Sequence, residues 1–135
     1  MVKRTLAAAA STAAVAALVL AAPPAHAEGA GRCYPETGEA CLFFNSNMGG
    51  ARYSTGKTTA YTSGMVFKGG NGSGYPVKNN AASVINFSGD WFLVIDYNSS
   101  NRCAYACQKV TPNTSVNLNS QLKNNNAAQH WLRSD

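Results

Sequence analysis

"SVINFSGDWFLVIDY", residues 83–97, places two short apolar runs on either side of Ser88-Gly89-Asp90. How this stretch is read decides the fold. Each run is too short for a globular helix and is rich in β-branched and aromatic residues, which suit a pleated surface. The runs read as the clearest strand pair in the chain, joined by three small or polar residues. In the second run Trp91, Leu93, Ile95 and Tyr97 share one face while Phe92 and Val94 share the other. That strand is therefore expected to be covered on both sides over much of its length.

The same texture extends outward in both directions. "ACLFFN" (40–45) reads as a buried strand, "SNMGG" as a turn and "ARYS" (51–54) as the returning strand. "GMVFK" (64–68) reads as a third strand, bounded by the glycine-rich "GGNGSG" (69–74). "YACQKV" (105–110), "SVNL" (115–118) and "AAQHWL" (127–132) complete the set. No long segment has a helical period, so the expectation is an all-β sandwich. "KNNAAS" at 78–83 recurs as "KNNNAAQ" at 123–129, each leading into apolar residues, which suggests two related halves.

Residues 1–27 are read as lying outside this domain. Lys3 and Arg4 precede an alanine-rich apolar run, Pro23-Pro24 break it, and Ala25-His26-Ala27 is a small-x-small cleavage site. That is the pattern of a secretory signal peptide rather than of a membrane anchor. The expected mature unit is a single domain over 28–135, exported, monomeric and free of the membrane after cleavage. It keeps nine basic residues against six acidic ones, scattered singly, which gives no stripe for nucleic acid.

All four cysteines fall in that unit, and an oxidising compartment predicts two disulfides. Four cysteines allow three connectivities, and the spacing favours the local pairs Cys33–Cys41 and Cys103–Cys107. A zinc site is the weaker reading, because closely spaced cysteines need further ligands for a tetrahedral set.

Residues 41–52, "CLFFNSNMGGAR", resemble the opening of a βγ-crystallin Greek key: an aromatic, four residues, an aromatic, any residue, then Gly. Phe43 fills the first place and Gly50 the last, with Met48 replacing the second aromatic. A bent hairpin of this type needs a glycine free to take positive φ and a ring packed on the bend. "NNAASVIN" (79–86) resembles the segment that closes such a motif through its serine, here Ser83. A close cysteine pair at the mature N-terminus and a second past the middle are similar to the Streptomyces metalloproteinase inhibitor family.

That resemblance implies a βγ-crystallin-like Greek-key sandwich with two local disulfides. It also implies a partner, an extracellular thermolysin-like metalloprotease, gripped through the loop Arg102, Cys103, Ala104, Tyr105, Ala106, Cys107. The loop is expected to be held extended, as a substrate would be. The cleavable bond would be Cys103–Ala104. Such proteases favour a bulky apolar side chain after the cut, so Ala104–Tyr105 is the alternative.

Other chemistries find less support in the residues. Many microbial βγ-crystallins bind calcium through Asn/Asp, Asn/Asp, two residues, Ser/Thr, Ser. Asn79, Asn80 and Ser83 match three of those places, but Val84 stands in the fourth. In the repeat Asn124 and Asn125 persist, while Ala128 and Gln129 offer no hydroxyl. The expectation is no cofactor, with calcium binding or an antimicrobial, surface-binding role through Tyr53, Tyr61 and Tyr75 as the alternatives. Catalysis is not expected. His130 is the lone histidine after cleavage, and Glu36, Glu39, Asp90 and Asp96 show no pairing in their spacing.

Overall fold

The computed structural model describes residues 31–100 and 103–133. The segment read as an export signal lies outside them. No helix among the described residues is long and apolar enough to cross a membrane. A single 3-10 turn, Pro35–Thr37, precedes eight strands. These are β1 (Ala40–Phe43), β2 (Arg52–Thr55), β3 (Thr59–Ala60), β4 (Ser83–Asn86), β5 (Trp91–Asp96), β6 (Cys107–Val110), β7 (Thr114–Asn117) and β8 (Ala128–Arg133). They form two antiparallel four-stranded sheets, ordered β2-β1-β4-β7 and β3-β8-β5-β6. Both local disulfides, Cys33–Cys41 and Cys103–Cys107, are formed.

The strands of the 83–97 stretch do not pair with each other. β4 lies between β1 and β7, whereas β5 lies between β8 and β6. Ser88-Gly89-Asp90 thus carries the chain from one sheet to the other. Asn86, at the end of β4, is fully buried beside this crossover. Its Nδ2 donates to the carbonyls of Trp91 (2.8 Å), Val110 (3.1 Å) and Thr111 (3.2 Å), and its Oδ1 accepts from the Ser88 N–H. The carboxamide thus ties the end of β4 to Trp91 and Val110 of the second sheet and to Thr111 just beyond it, its two N–H groups shared among three carbonyls.

Leu42 and Val84 from the first sheet share one core with Leu93, Ile95 and Val110 from the second. Tyr61, Phe67, Val77 and Leu122 are added from the connections. Burying a side chain of this size contributes about 1.5–3 kcal/mol. Leu93 to Asp96 are buried without a break, as the two-faced pattern of β5 predicts, and Phe92 is covered by the Lys109 ammonium 4.3 Å from its ring centre.

Residues 64–68 are not a strand. Val66 and Lys68 make only isolated bridges, to Pro76 and Arg52, while Phe67 plugs the core. The third strand is instead Thr59–Ala60, two residues paired with β8. Such a segment is too short to leave any period in the sequence.

The strand order is internally duplicated. β1, β2 and β4 stand to β7 as β5, β6 and β8 stand to β3, so each half lends one strand to the other's sheet. The two copies of the lysine–asparagine repeat meet where the halves join. Asn79 N–H donates to the Asn126 carbonyl (2.7 Å), and Asn124 N–H donates to the Ala81 carbonyl (2.9 Å). Asn79 and Asn124 both take left-handed φ, 63° and 61°. Asparagine tolerates that region better than most residues, which explains its place in both copies.

Tyr61 and Tyr53 are buried, so of the three tyrosines considered for surface contact only Tyr75 is exposed. The Tyr61 hydroxyl donates to Gln129 Oε1 at 2.9 Å. Burial, then the charge of Asp96, then Tyr53, push its pKa well above the ordinary 10.0. Above that value the unfolded chain releases this proton before the folded one does. Stability conferred by the protonated Tyr61 is complete below pH 10.0 and is lost as pH rises towards the folded value. Tyr61→Phe should cost about 1–3 kcal/mol near neutrality, because Gln129 Oε1 loses its donor. The gap between the two proteins should then narrow in melts above pH 10, since the variant has no such proton to lose.

Candidate functional site: a disulfide loop rooted on a buried carboxylate

β5 ends at Asp96 and the chain returns at Cys107, its register partner in β6. The neck of the loop is closed by the Tyr97 N–H donating to the Ala106 carbonyl (3.0 Å). Above the neck the Cys103–Cys107 disulfide closes a ring around Ala104, Tyr105 and Ala106, with Cα atoms 5.0 Å apart. Ala106 is buried. Ala104 and Tyr105 face solvent, and Tyr105, 72% exposed, is the most exposed large hydrophobic side chain among the described residues. Its ring lies 5.0 Å from that of Tyr97, so the tip carries a tyrosine pair. Arg102 lies outside the described residues.

Asp96 roots this loop. It is buried, its Oδ1 accepts from the Cys103 N–H (2.9 Å), and its Oδ2 meets His130 Nδ1 at 2.6 Å. One carboxylate therefore ties the start of the disulfide ring to the middle of β8. Sequence reasoning treated Asp96 and His130 separately, as weak catalytic candidates, and missed their pairing. The available signal was a charged residue within the apolar run of β5, which is rarely buried without a partner.

The other half explains why a clip is needed here. Phe43 pairs with Ser83 as Asp96 pairs with Ala128, so the 44–51 bend is the counterpart of the disulfide loop. The Phe44 N–H donates to the Ala51 carbonyl (2.9 Å), matching the Tyr97–Ala106 neck. Ser83 then clamps the bend: its hydroxyl donates to the Asn45 carbonyl (2.6 Å) and accepts from the Met48 N–H (2.9 Å). Gly50 takes positive φ, 77°, and a Cβ there would lie 2.8 Å from Asn45 Nδ2. Phe43 is buried, and the ring of its neighbour Phe44 packs against the glycine-rich loop. It lies edge-on to Phe67, and a Cβ on Gly72 would come within 2.1 Å of it. In the second half Ala128 has no hydroxyl, and the disulfide with Asp96 takes over the clamp.

One expectation is corrected by this geometry. Cys103 has φ 54°, the left-handed region, so the residue before the Cys103–Ala104 bond is not in the extended form of a protease substrate. Ala104 and Tyr105 carry no positive φ. The calcium candidates divide between two clefts. Asn80 lines one shallow cleft with Phe44 and Lys123, Asn79 lines another with Tyr97 and Lys78, and the Ser83 hydroxyl is spent on the bend.

Asp96, Cys103 and Cys107 place three potential ligand atoms within 4.8 Å of one another. The disulfide denies a metal both thiolates. Of the other carboxylates, Glu39 accepts from the Ser54 hydroxyl (2.9 Å). A mainly apolar cleft of about 300 Å³ between Trp91 and Trp131 lies at the far end of β5 from the loop. No family model matches the chain, and no curated protein or solved structure matches it.

Proposed function

We propose that the protein is an exported, monomeric inhibitor of an extracellular thermolysin-like metalloprotease, built on a βγ-crystallin-like Greek-key fold and acting through the Cys103–Cys107 loop. The observation that carries this reading is the ring itself: an exposed Tyr105 on a covalently closed segment whose root is tied to the core by Asp96. Closing so small a ring restricts the unfolded chain by only roughly 2 kcal/mol, so global stability is a poor reason for it. A pre-ordered loop, in contrast, loses little entropy on binding, and a bond cut inside the ring leaves both ends in place to be rejoined.

The left-handed Cys103 favours Ala104–Tyr105 as the bond presented. Tyr105 then enters the apolar pocket after the cut, where Ala104 would leave it unfilled. The exposed Tyr97–Tyr105 pair supplies the apolar area.

The test titrates the purified, oxidised protein against a thermolysin-like, a serine and a cysteine protease. Only the first should lose activity, with one slow nick at 104–105 seen by mass spectrometry. Tyr105→Ala should weaken inhibition about 10- to 100-fold, the loss of a buried aromatic at about 1.5–3 kcal/mol. Inhibition that is unchanged by Tyr105→Ala, or equal in the reduced protein, rules the reading out.

A further inference from the structure

The lysine–asparagine repeat is more than a joint between halves. It lines two clefts, of about 270 and 210 Å³, that are counterparts under the internal duplication. From the bend, Phe44, Asn45 and Ser46 of the first cleft correspond to Tyr97, Asn98 and Ser99 of the second. From the repeat, Asn80 and Ala82 correspond to Asn125 and Ala127. Each cleft also borrows from the other copy: Lys123 and Asn124 in the first, Lys78 and Asn79 in the second. Apart from the Phe/Tyr pair, every corresponding residue is identical.

The strands show the opposite. Aligned by register, β1 against β5, β2 against β6, β3 against β7 and β4 against β8 share no identical residue. Folding alone would hold the strands at least as firmly as exposed loops, which ordinarily vary most. The left-handed turn accounts for Asn79 and Asn124, and the sheet-bound amides account for Ala82 and Ala127. It does not account for two exposed lysines or for the Asn-Ser pairs at both loops.

We infer that the twin clefts are a duplicated binding site for an acidic sugar, one uronate ring in each. The lysine ammonium suits the carboxylate, and no described lining residue is a carboxylate that would repel it. Side-chain amides and a serine hydroxyl both donate and accept, as sugar hydroxyls require. The aromatic wall offers an apolar face to the ring. The same lysine opposes a divalent cation, and so the site runs against calcium. Two clefts on one molecule give a polyuronate two points of attachment, which raises its apparent affinity without new contacts.

Amide chemical shifts of the isotopically labelled, oxidised protein read each cleft separately during titration with glucuronate, glucose, acetate or calcium chloride. Glucuronate should shift the amides around 45–46 and 98–99 saturably, at a concentration at least about tenfold below glucose or acetate. Lys78→Met should abolish the response at 98–99 and leave that at 45–46, and Lys123→Met should do the converse. Equal midpoints for the three organic ligands, saturation by calcium at lower concentration, or no saturable shift at either cleft overturns the inference. Protease inhibition is scored separately and does not enter this outcome.

Discussion

Asp96→Ala is expected to lower the stability of the folded protein by about 3–5 kcal/mol, because two groups lose their hydrogen-bond acceptor at about 1–3 kcal/mol each. The carboxylate serves two groups at once, the Cys103 N–H at 2.9 Å and His130 Nδ1 at 2.6 Å. Its removal leaves His130 buried in β8 without that acceptor and unhooks the disulfide ring from the core. For a domain of about 100 residues the melting temperature should fall by at least 12 °C. Because Asp96 is buried, added salt should change this loss little. Asp96→Asn keeps an acceptor for the Cys103 N–H and should lose distinctly less. Melts of the three proteins at low and high salt check this. A loss for Asp96→Ala no greater than that of an exposed Asp90→Ala control would show that the carboxylate is not the root of the loop. Under the proposed function Asp96→Ala should also weaken inhibition while the disulfide stays intact, which separates anchoring from covalent closure.

Much of the fold was legible because it is carried by short apolar runs of period two or by continuous burial. The strands around 40–43, 52–55, 91–96 and 128–133 declare themselves in this way, and cysteine spacing alone indicated both disulfides. What could not be read depends on single polar side chains with partners distant in sequence. β3 is two residues held by pairing to β8. Residues 64–68 have the composition of a strand, yet they supply Phe67 to the core from a loop. Of the candidate loop, the ring and the exposed Tyr105 were readable, whereas Cys103's left-handed φ depends on an anchor to Asp96 seven residues earlier. The repeat was visible as text, but its crosswise sharing of Lys78 and Lys123 between clefts needed the exchange of β3 and β7.

Asn86→Leu tests the feature that most changed the reading of the chain. Leucine has a similar volume and a better intrinsic fit to a sheet core, so on burial alone the substitution should be tolerated. The carboxamide, however, is the donor for the carbonyls of Trp91, Val110 and Thr111 and the acceptor for the Ser88 N–H, and the residue is fully buried. An apolar replacement removes these bonds together and leaves backbone groups of the crossover and of the second sheet facing a hydrocarbon side chain. Each unsatisfied buried group costs about 1–3 kcal/mol, and water reaching the Trp91 end, which is partly exposed, offsets a share. A net loss of about 3–5 kcal/mol follows, comparable to a cavity at the centre of the core. Asn86→Asp should recover the Ser88 bond but set a carboxylate against three carbonyls, and so fare no better. Denaturant titrations of the three proteins decide the matter. A leucine variant as stable as the parent would mean that Ser88-Gly89-Asp90 crosses between the sheets for reasons of packing alone. Under the hydrogen-bond account, only a side chain with both an amide donor and a carbonyl acceptor holds β4 and β5 in separate sheets.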